Sequence, residues 1–252
     1  MTGSEEGHLW SVKNGNHQVP EILIKSACAN LNLNTCIKSL TKTVNLDGRP
    51  VFTLQTDSSL DSRVEDCEKT YDAVIVAVPL DVPSCYINFD SCQKWPQQKQ
   101  LGKYQQTITT LVQGDIRMEY FNLPSGAAEL SAILTTEDSK MFFSSIGSVR
   151  DIEGNKTNPT TYKIFSREHP SEKDIHALFD IDSSNTDSLV KSVAWLAYPK
   201  YEPPEQFLPF HIEDGVFYVN AMERAASDME MCALGGRNVA LLTAQYIERL
   251  FT

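Results

Sequence analysis

Glu223 and Glu230 stand seven residues apart on either side of a small-residue stretch, Ala221 to Ser227, and are the polar pair best placed to face a ligand. His211 is the nearby alternative, but it reads as a satisfied or exposed histidine in the strand leading to Asp214-Gly215. The carboxylates belong to a strand over Gly215 to Asn220, a turn, and a helix that opens at Asp228-Met229-Glu230-Met231. Such a unit brings backbone amides and the positive end of a helix dipole to one surface, where an anion or an electron-rich ring can be held. Ser227 precedes Glu230 by three residues, the spacing of a capping box, so Glu230 has a second reading as part of the helix cap. Gly235 and Gly236 follow inside the helix, although each costs about 1 kcal/mol against alanine there. A close approach to that backbone is expected, by a ligand or by the packing of helix on sheet in an ordinary C-terminal αβ unit.

A second stretch must lie beside this one. Tyr71-Asp72-Ala73-Val74-Ile75-Val76-Ala77-Val78-Pro79 is a β-branched run stopped by proline, the pattern of a central strand buried on both faces. In an open α/β sheet such a strand delivers its carboxyl end to the ligand crevice, where the small Ala77 would not block a cofactor. The other reading is a core strand that ends at a proline turn. Hydrolase and nucleoside-triphosphatase chemistries lose support, because no Gly-x-Ser-x-Gly elbow, His-Glu-x-x-His pair, Walker A loop or Gly-x-Gly-x-x-Gly fingerprint occurs.

Length allows one large domain or two small ones. Lysine plus arginine number 22 against 33 acidic residues, a formal net charge of −11, so the basic footprint that nucleic acid requires is missing and an anionic membrane surface would repel the chain. No apolar run approaches the roughly 18 residues of a membrane span. The longest lies around Ala73 to Leu80. Met1 to Gly7 lack the basic and apolar regions of a secretory signal, which suggests a cytosolic protein or part of a longer chain. Six cysteines, none in a Cys-x-x-Cys pair, argue against structural zinc and for buried thiols, with Cys85 and Cys92 the closest pair if the compartment is oxidising. Asn155-Lys156-Thr157 is a glycosylation acceptor triplet in a polar loop.

In chain order, Leu9 to Val12 is a short apolar stretch before a turn at Asn14-Gly15-Asn16, and Pro20-Glu21 open a helix to about Asn30. Cys36 to Leu40 reads as a strand, and Val44 to Val51 as a hairpin turn into Phe52 to Thr56. Ser58 to Lys69 is a polar loop. Beyond the crossing at residues 84–106, strands are expected at Thr107 to Val112, Ala132 to Thr136, Met141 to Ile146, Tyr162 to Phe165 and Val190 to Tyr198, with a helix from Glu172 to Phe179 capped by Ser171. Tyr201-Glu202-Pro203-Pro204 makes a stiff exit. The sum is an α/β (α+β) chain in which a mixed β sheet is inserted between two pieces of an α/β sheet.

Five strings in order give the chain a resemblance: Leu9-Trp10-Ser11-Val12 with Gly15-Asn16, Tyr71 to Leu80, Trp195-Leu196-Ala197-Tyr198-Pro199, Tyr201 with Pro203-Pro204-Glu205, and Ala225-Ala226-Ser227-x-Met229-Glu230-Met231. Together they resemble the prenylcysteine oxidase family, also called prenylcysteine lyase, over nearly the whole chain. The resemblance implies a flavin amine oxidase-like fold and an FAD-dependent thioether oxidase that takes farnesyl- or geranylgeranyl-cysteine and molecular oxygen to cysteine, a prenyl aldehyde and hydrogen peroxide. It implies an FAD-domain piece at 1–83, a substrate domain at 84–206 and a C-terminal FAD-domain strand and helix at 207–252. Ala77, Val78, Pro79, Asn220, Glu223, Met229, Glu230 and Met231 would then lie near FAD. Phe142, Phe143, Trp195 and Tyr198 would line a prenyl pocket, or equally form ordinary sheet core. Lysosomal residence and a glycan at Asn155 follow from the same likeness. Asn14 stands where the family pattern has glycine, Arg224 puts a charge where a small residue is usual, and the dinucleotide fingerprint is missing. The chain is therefore expected to supply part of an FAD site; the alternative is a non-catalytic homologue or fragment that binds a prenyl lipid or a partner protein.

Overall fold

The computed structural model describes residues 12–56, 69–97, 101–124, 130–136, 141–151, 153–181 and 190–252. Cys67, most of the polar stretch from Ser58 to Lys69, and the string Leu9-Trp10-Ser11 lie outside these residues. The first elements are α1 (Gln18–Ser26), β1 (Ile37–Val44), β2 (Pro50–Thr56), β3 (Thr70–Tyr71) and β4 (Val74–Val76). Next come β5 (Tyr104–Gln113), β6 (Asp115–Ile116), β7 (Ala132–Leu134), β8 (Phe143–Ser148), β9 (Thr161–Ser166), α2 (Glu172–Leu178) and β10 (Phe179–Asp180). The chain closes with β11 (Val190–Pro199), β12 (His211–Glu213), β13 (Val216–Tyr218) and α3 (Met229–Phe251). Two compact units result, Met1–Leu31 with Gln106–Leu196 and Asn32–Gln105 with Ala197–Thr252. Residues 84–105 and 197–206 fall in the second unit, and residues 12–31 in the first.

The first unit is a five-stranded sheet in the order β11-β5-β9-β8-β7, antiparallel across β5/β9, β9/β8 and β8/β7. Side chains alternate across a pleated strand, so one face carries Val112, Tyr162, Ile164 and Ile146, covered by Ile175 and Leu178 of α2. That helix begins where Ser171 predicts: Ser171 Oγ accepts from the Asp174 amide while Asp174 returns a bond to the Ser171 amide, a complete capping box. Register puts Thr109 opposite Phe165 and Leu111 opposite Lys163 on the other face, and Trp195 joins them by donating Nε1–H to Thr109 Oγ1 at 3.0 Å. On that face Val193 is 50% and Trp195 47% exposed, so it carries large apolar groups in solvent.

In the second unit β1 and β2 form the expected hairpin, its turn fixed by Asn45 Oδ1, which accepts from the amides of Asp47 and Arg49. A three-stranded sheet runs β12-β13-β4, with β13 and β4 parallel and Val216, Phe217 and Tyr218 beside Val74, Ile75 and Val76. The strand buried on both faces is β13, not the Tyr71 to Pro79 run. Val216 and Tyr218 enter a core with Phe52, Val76, Leu80 and Trp95, while Phe217 packs on the other side with Val239 and Tyr246 of α3. Among the described residues β4 has β13 as its one partner, ends at Val76 and leaves Ile75 exposed. An apolar run records burial summed over its neighbours, so the sequence could not tell a short edge strand from a central one.

Three further expectations differ from the structure. The strand read as Gly215 to Asn220 stops at Tyr218 and continues as a 3₁₀ turn, Val219–Met222. The helix cap is Asp228, whose Oδ1 accepts from the Met231 amide at 2.8 Å, and Ser227 instead donates to Glu223 Oε1 at 3.3 Å. Of the five described cysteines, all free, only Cys92 is buried. Gly235 does meet a close neighbour, since a Cβ there would lie 2.9 Å from the Val219 carbonyl oxygen, whereas Gly236 faces open space. Asp228→Ala is expected to lower stability by about 1 kcal/mol. A shifted urea midpoint at unchanged slope would register it, and an unchanged midpoint would show the cap to be idle.

Candidate functional site

Parallel pairing of β4 with β13 brings both carboxyl ends to one edge of the sheet. From that edge one strand leads to Asp81 and the other into the turn that carries Asn220, Glu223 and Arg224. These four side chains, with Tyr218 and Glu205, line a cavity of about 600 Å³. It lies where an open α/β sheet usually holds its ligand.

Glu223 is the hub of a neutral hydrogen-bond network. Its Oε2 accepts from the Tyr104 hydroxyl at 2.5 Å and from Asn220 Nδ2 at 2.9 Å, its Oε1 accepts from Ser227, and its backbone carbonyl accepts from the Tyr201 hydroxyl at 3.4 Å. Every one of these donors is uncharged. Burial, reinforced by the Glu223 carboxylate, pushes the Tyr104 phenol far above the usual tyrosine range, and burial does the same to Tyr218 with Asp81 nearby. Arg224 is held differently: Nη2 donates to Asp81 Oδ2 at 2.9 Å and Nη1 to Glu205 Oε2 at 3.3 Å, with the three side chains 18%, 8% and 14% exposed. Burial opposes its charge, yet the two carboxylates raise its pKa above the ordinary arginine value.

The two tyrosines give a testable alkaline signature. Their folded pKa values exceed the unfolded value of 10.0, so their contribution to stability is intact below pH 10 and is lost as pH rises from there towards the folded values. In that range each should add about 1.4 kcal/mol of lost stability per pH unit. Tyr218→Phe is expected to flatten the measured slope by one such increment, and an unchanged slope would show that the phenol ionises freely in the folded protein.

Asn220 and Glu223 are the two residues of the expected cofactor set that line this cavity. Ala77, Val78 and Pro79 follow β4 directly, Ala77 exposed and the other two half-buried, outside the lining. Met229, Glu230 and Met231 form the first turn of α3, with Met229 half-exposed, and also lie outside it. Phe143 sits in the first unit's core with Phe142 against its edge at 5.1 Å. Trp195 stands on the open face of that sheet, and Tyr198, in the second unit, stacks on Tyr201 with centroids 6.1 Å apart. Asn155 is exposed in a turn organised by Asp151 Oδ1, which accepts from the Glu153 and Asn155 amides. Sequence reasoning missed Asp81, Tyr104 and Glu205. Asp81 and Tyr104 meet their partners across 143 and 119 residues, a separation that no local spacing reports.

Known proteins bear on this geometry. A family model described as prenylcysteine lyase matches residues 1–250. Prenylcysteine oxidase 1 of Homo sapiens is 34% identical over 260 residues, covering 96% of this chain and 48% of that protein. Farnesylcysteine lyase of Arabidopsis thaliana is 35% identical over 237 residues, covering 94% and 42%. The chain thus spans about half the length of the curated relatives it matches. Among solved structures, cyclohexylamine oxidase from Brevibacterium oxydans IH-35A superposes with a TM-score of 0.58 at 14% identity, covering 93% of this chain and 53% of that one. That likeness concerns the fold alone, and the fold is the flavin amine oxidase-like α/β class expected from the sequence. With a family match along nearly all of its length, the chain belongs to the prenylcysteine lyase family.

Proposed function

We propose that the chain forms part of an FAD-dependent thioether oxidase that cleaves farnesyl- or geranylgeranyl-cysteine, consuming oxygen and water and yielding cysteine, a prenyl aldehyde and hydrogen peroxide. The observation that carries this reading is the cavity at the joined carboxyl ends of β4 and β13, with Asn220 and Glu223 on its wall, in a chain of this family. The residues fit the hydroxyl-bearing part of a flavin: Glu223 accepts hydrogen bonds, and Asn220 both accepts and donates. A bound flavin would supply the redox chemistry, taking a hydride from the carbon next to sulfur and returning the electrons to oxygen.

What the chain itself supplies is placement and exclusion of water. Tyr104 and Ser227 fix the Glu223 carboxylate by neutral donors, so its orientation is set before any ligand arrives. Ala77, Val78, Pro79 and the first turn of α3 at Met229, Glu230 and Met231 belong to the same reading as flanks of the cofactor. The open sheet face at Trp195, Val193, Leu111 and Phe165 offers the prenyl chain an apolar seat, at about 0.8 kcal/mol for each buried CH₂. Phe142, Phe143 and Tyr198 remain assigned to that substrate side. Lysosomal residence and glycosylation of the exposed Asn155 complete the proposal. The test adds FAD to the purified full chain and follows flavin fluorescence, then peroxide release from farnesylcysteine. Quenched fluorescence weakened by Asn220→Ala supports the reading, and a folded chain that leaves flavin fluorescence untouched and forms no peroxide ends it.

A further inference from the structure

An arginine on a cavity wall is ordinarily a phosphate or carboxylate fork, because its planar donors match two oxygens at once. Arg224 has both arms engaged already. One reaches Asp81 and the other Glu205, and all three side chains are mostly withdrawn from water. With Glu223 beside it, and with Lys94 and Glu202 also on the lining, the wall sets two positive charges, Arg224 and Lys94, against four carboxylates, Asp81, Glu202, Glu205 and Glu223. The arrangement also depends on Gly102, where any Cβ would overlap the Arg224 guanidinium. Three distant pieces of chain and one glycine therefore converge to neutralise a single cation inside the cavity.

We infer that Arg224 is a sequestered cation whose neutralisation makes this cavity select a hydroxyl-bearing, uncharged portion of its ligand and turn away phosphate. A phosphate entering here would meet excess negative charge, and a guanidinium already shared between two carboxylates has little net charge left to offer it, while drawing it away would leave those carboxylates uncompensated in a poorly hydrated site. Hydroxyl groups meet no such cost, since Glu223 and Asn220 accept from them. A flavin dinucleotide, if bound, would be held here through its hydroxyl-bearing part by Asn220 and Glu223, with Arg224 unavailable to its pyrophosphate. The ligand's identity rests on the function proposed above; the discrimination against phosphate does not.

The experiment titrates the full chain with inorganic pyrophosphate at low salt, and separately with riboflavin and FMN, reading thermal shift and flavin fluorescence. Wild type is expected to ignore pyrophosphate and to bind riboflavin at least as tightly as FMN. Freeing the guanidinium with the Asp81→Asn, Glu205→Gln double substitution should raise affinity for pyrophosphate, and the FMN-to-riboflavin affinity ratio, by about tenfold. Glu205→Gln alone and Gly102→Ala, which displaces the guanidinium from its seat, provide the same comparison if the double variant fails to fold. Pyrophosphate binding by wild type, or variants that respond to it no better than wild type, overturns the inference. Wild type that binds neither flavin, with the pyrophosphate contrast intact, removes the flavin reading and leaves the sequestered cation standing.

Discussion

Gly215→Val should cost about 2–5 kcal/mol of stability, a large share of the roughly 5–15 kcal/mol that a domain usually has. Two effects add. Gly215 sits at φ +87°, in the left-handed region where an L side chain costs roughly 1–2 kcal/mol. A Cβ there would also lie 2.6 and 2.8 Å from Phe52 ring carbons and 2.8 Å from the Tyr246 hydroxyl. Phe52 is fully buried and Tyr246 is 5% exposed, so neither can swing into solvent, and crowding of this sort costs roughly a further 1–3 kcal/mol. The position also matters to the site, because the Gly215 carbonyl accepts from the Val74 amide at 2.8 Å and so registers β4 against β13. Chemical denaturation measures the loss, with Gly215→Ala expected to be intermediate. A penalty below about 1 kcal/mol for valine would mean that Phe52 and Tyr246 can yield, and that the close packing around the start of β13 is not rigid.

This junction also shows how far the sequence can be read. The α2 cap and the β1–β2 hairpin were legible because their determinants are local: Ser171 with Asp174, and Asn45 with the amides that follow it. The long run ending at Pro79 misled because hydrophobicity reports burial without saying which neighbour provides it. The doubly buried strand proved to be the three residues Val216–Tyr218, too short for any periodicity to mark. In the cavity, Asn220 and Glu223 were visible as polar groups at a strand end, the place where α/β sheets hold ligands. Their surroundings were not, since Tyr104 reaches Glu223 across 119 residues and Asp81, brought alongside by the parallel pairing of β4 with β13, reaches Arg224 across 143. Arg224 illustrates the same limit: its charge looked like an obstacle to a cofactor in the sequence, and the structure shows that charge already answered by two carboxylates.

The hydrogen bond from Tyr104 to Glu223 should show a coupling of about 2 kcal/mol in a double-mutant cycle of Tyr104→Phe and Glu223→Leu. Its donor and acceptor are 2.5 Å apart, and hydrogen bonds to a charged group contribute roughly 1.5–3 kcal/mol, about twice a neutral pair. The two single substitutions should differ in a definite way. Glu223→Leu strands Tyr104 and Asn220 together and should cost more than Tyr104→Phe, which leaves Glu223 its bonds from Asn220 and Ser227. Glu223→Gln separates charge from shape: a carbonyl at the Oε2 position can keep both Tyr104 and Asn220, but its amide then faces Ser227, so it should fall between wild type and leucine. The same variants report on the ligand. If hydroxyl groups bind at Glu223, flavin affinity must fall in step with the acceptor lost, more for leucine than for glutamine, while Tyr104→Phe disturbs it only by loosening the carboxylate. A coupling near zero would reduce Tyr104 to a neighbour of Glu223, and an equal affinity loss from both Glu223 substitutions would move the ligand's contact from the carboxylate's acceptor atoms to its charge.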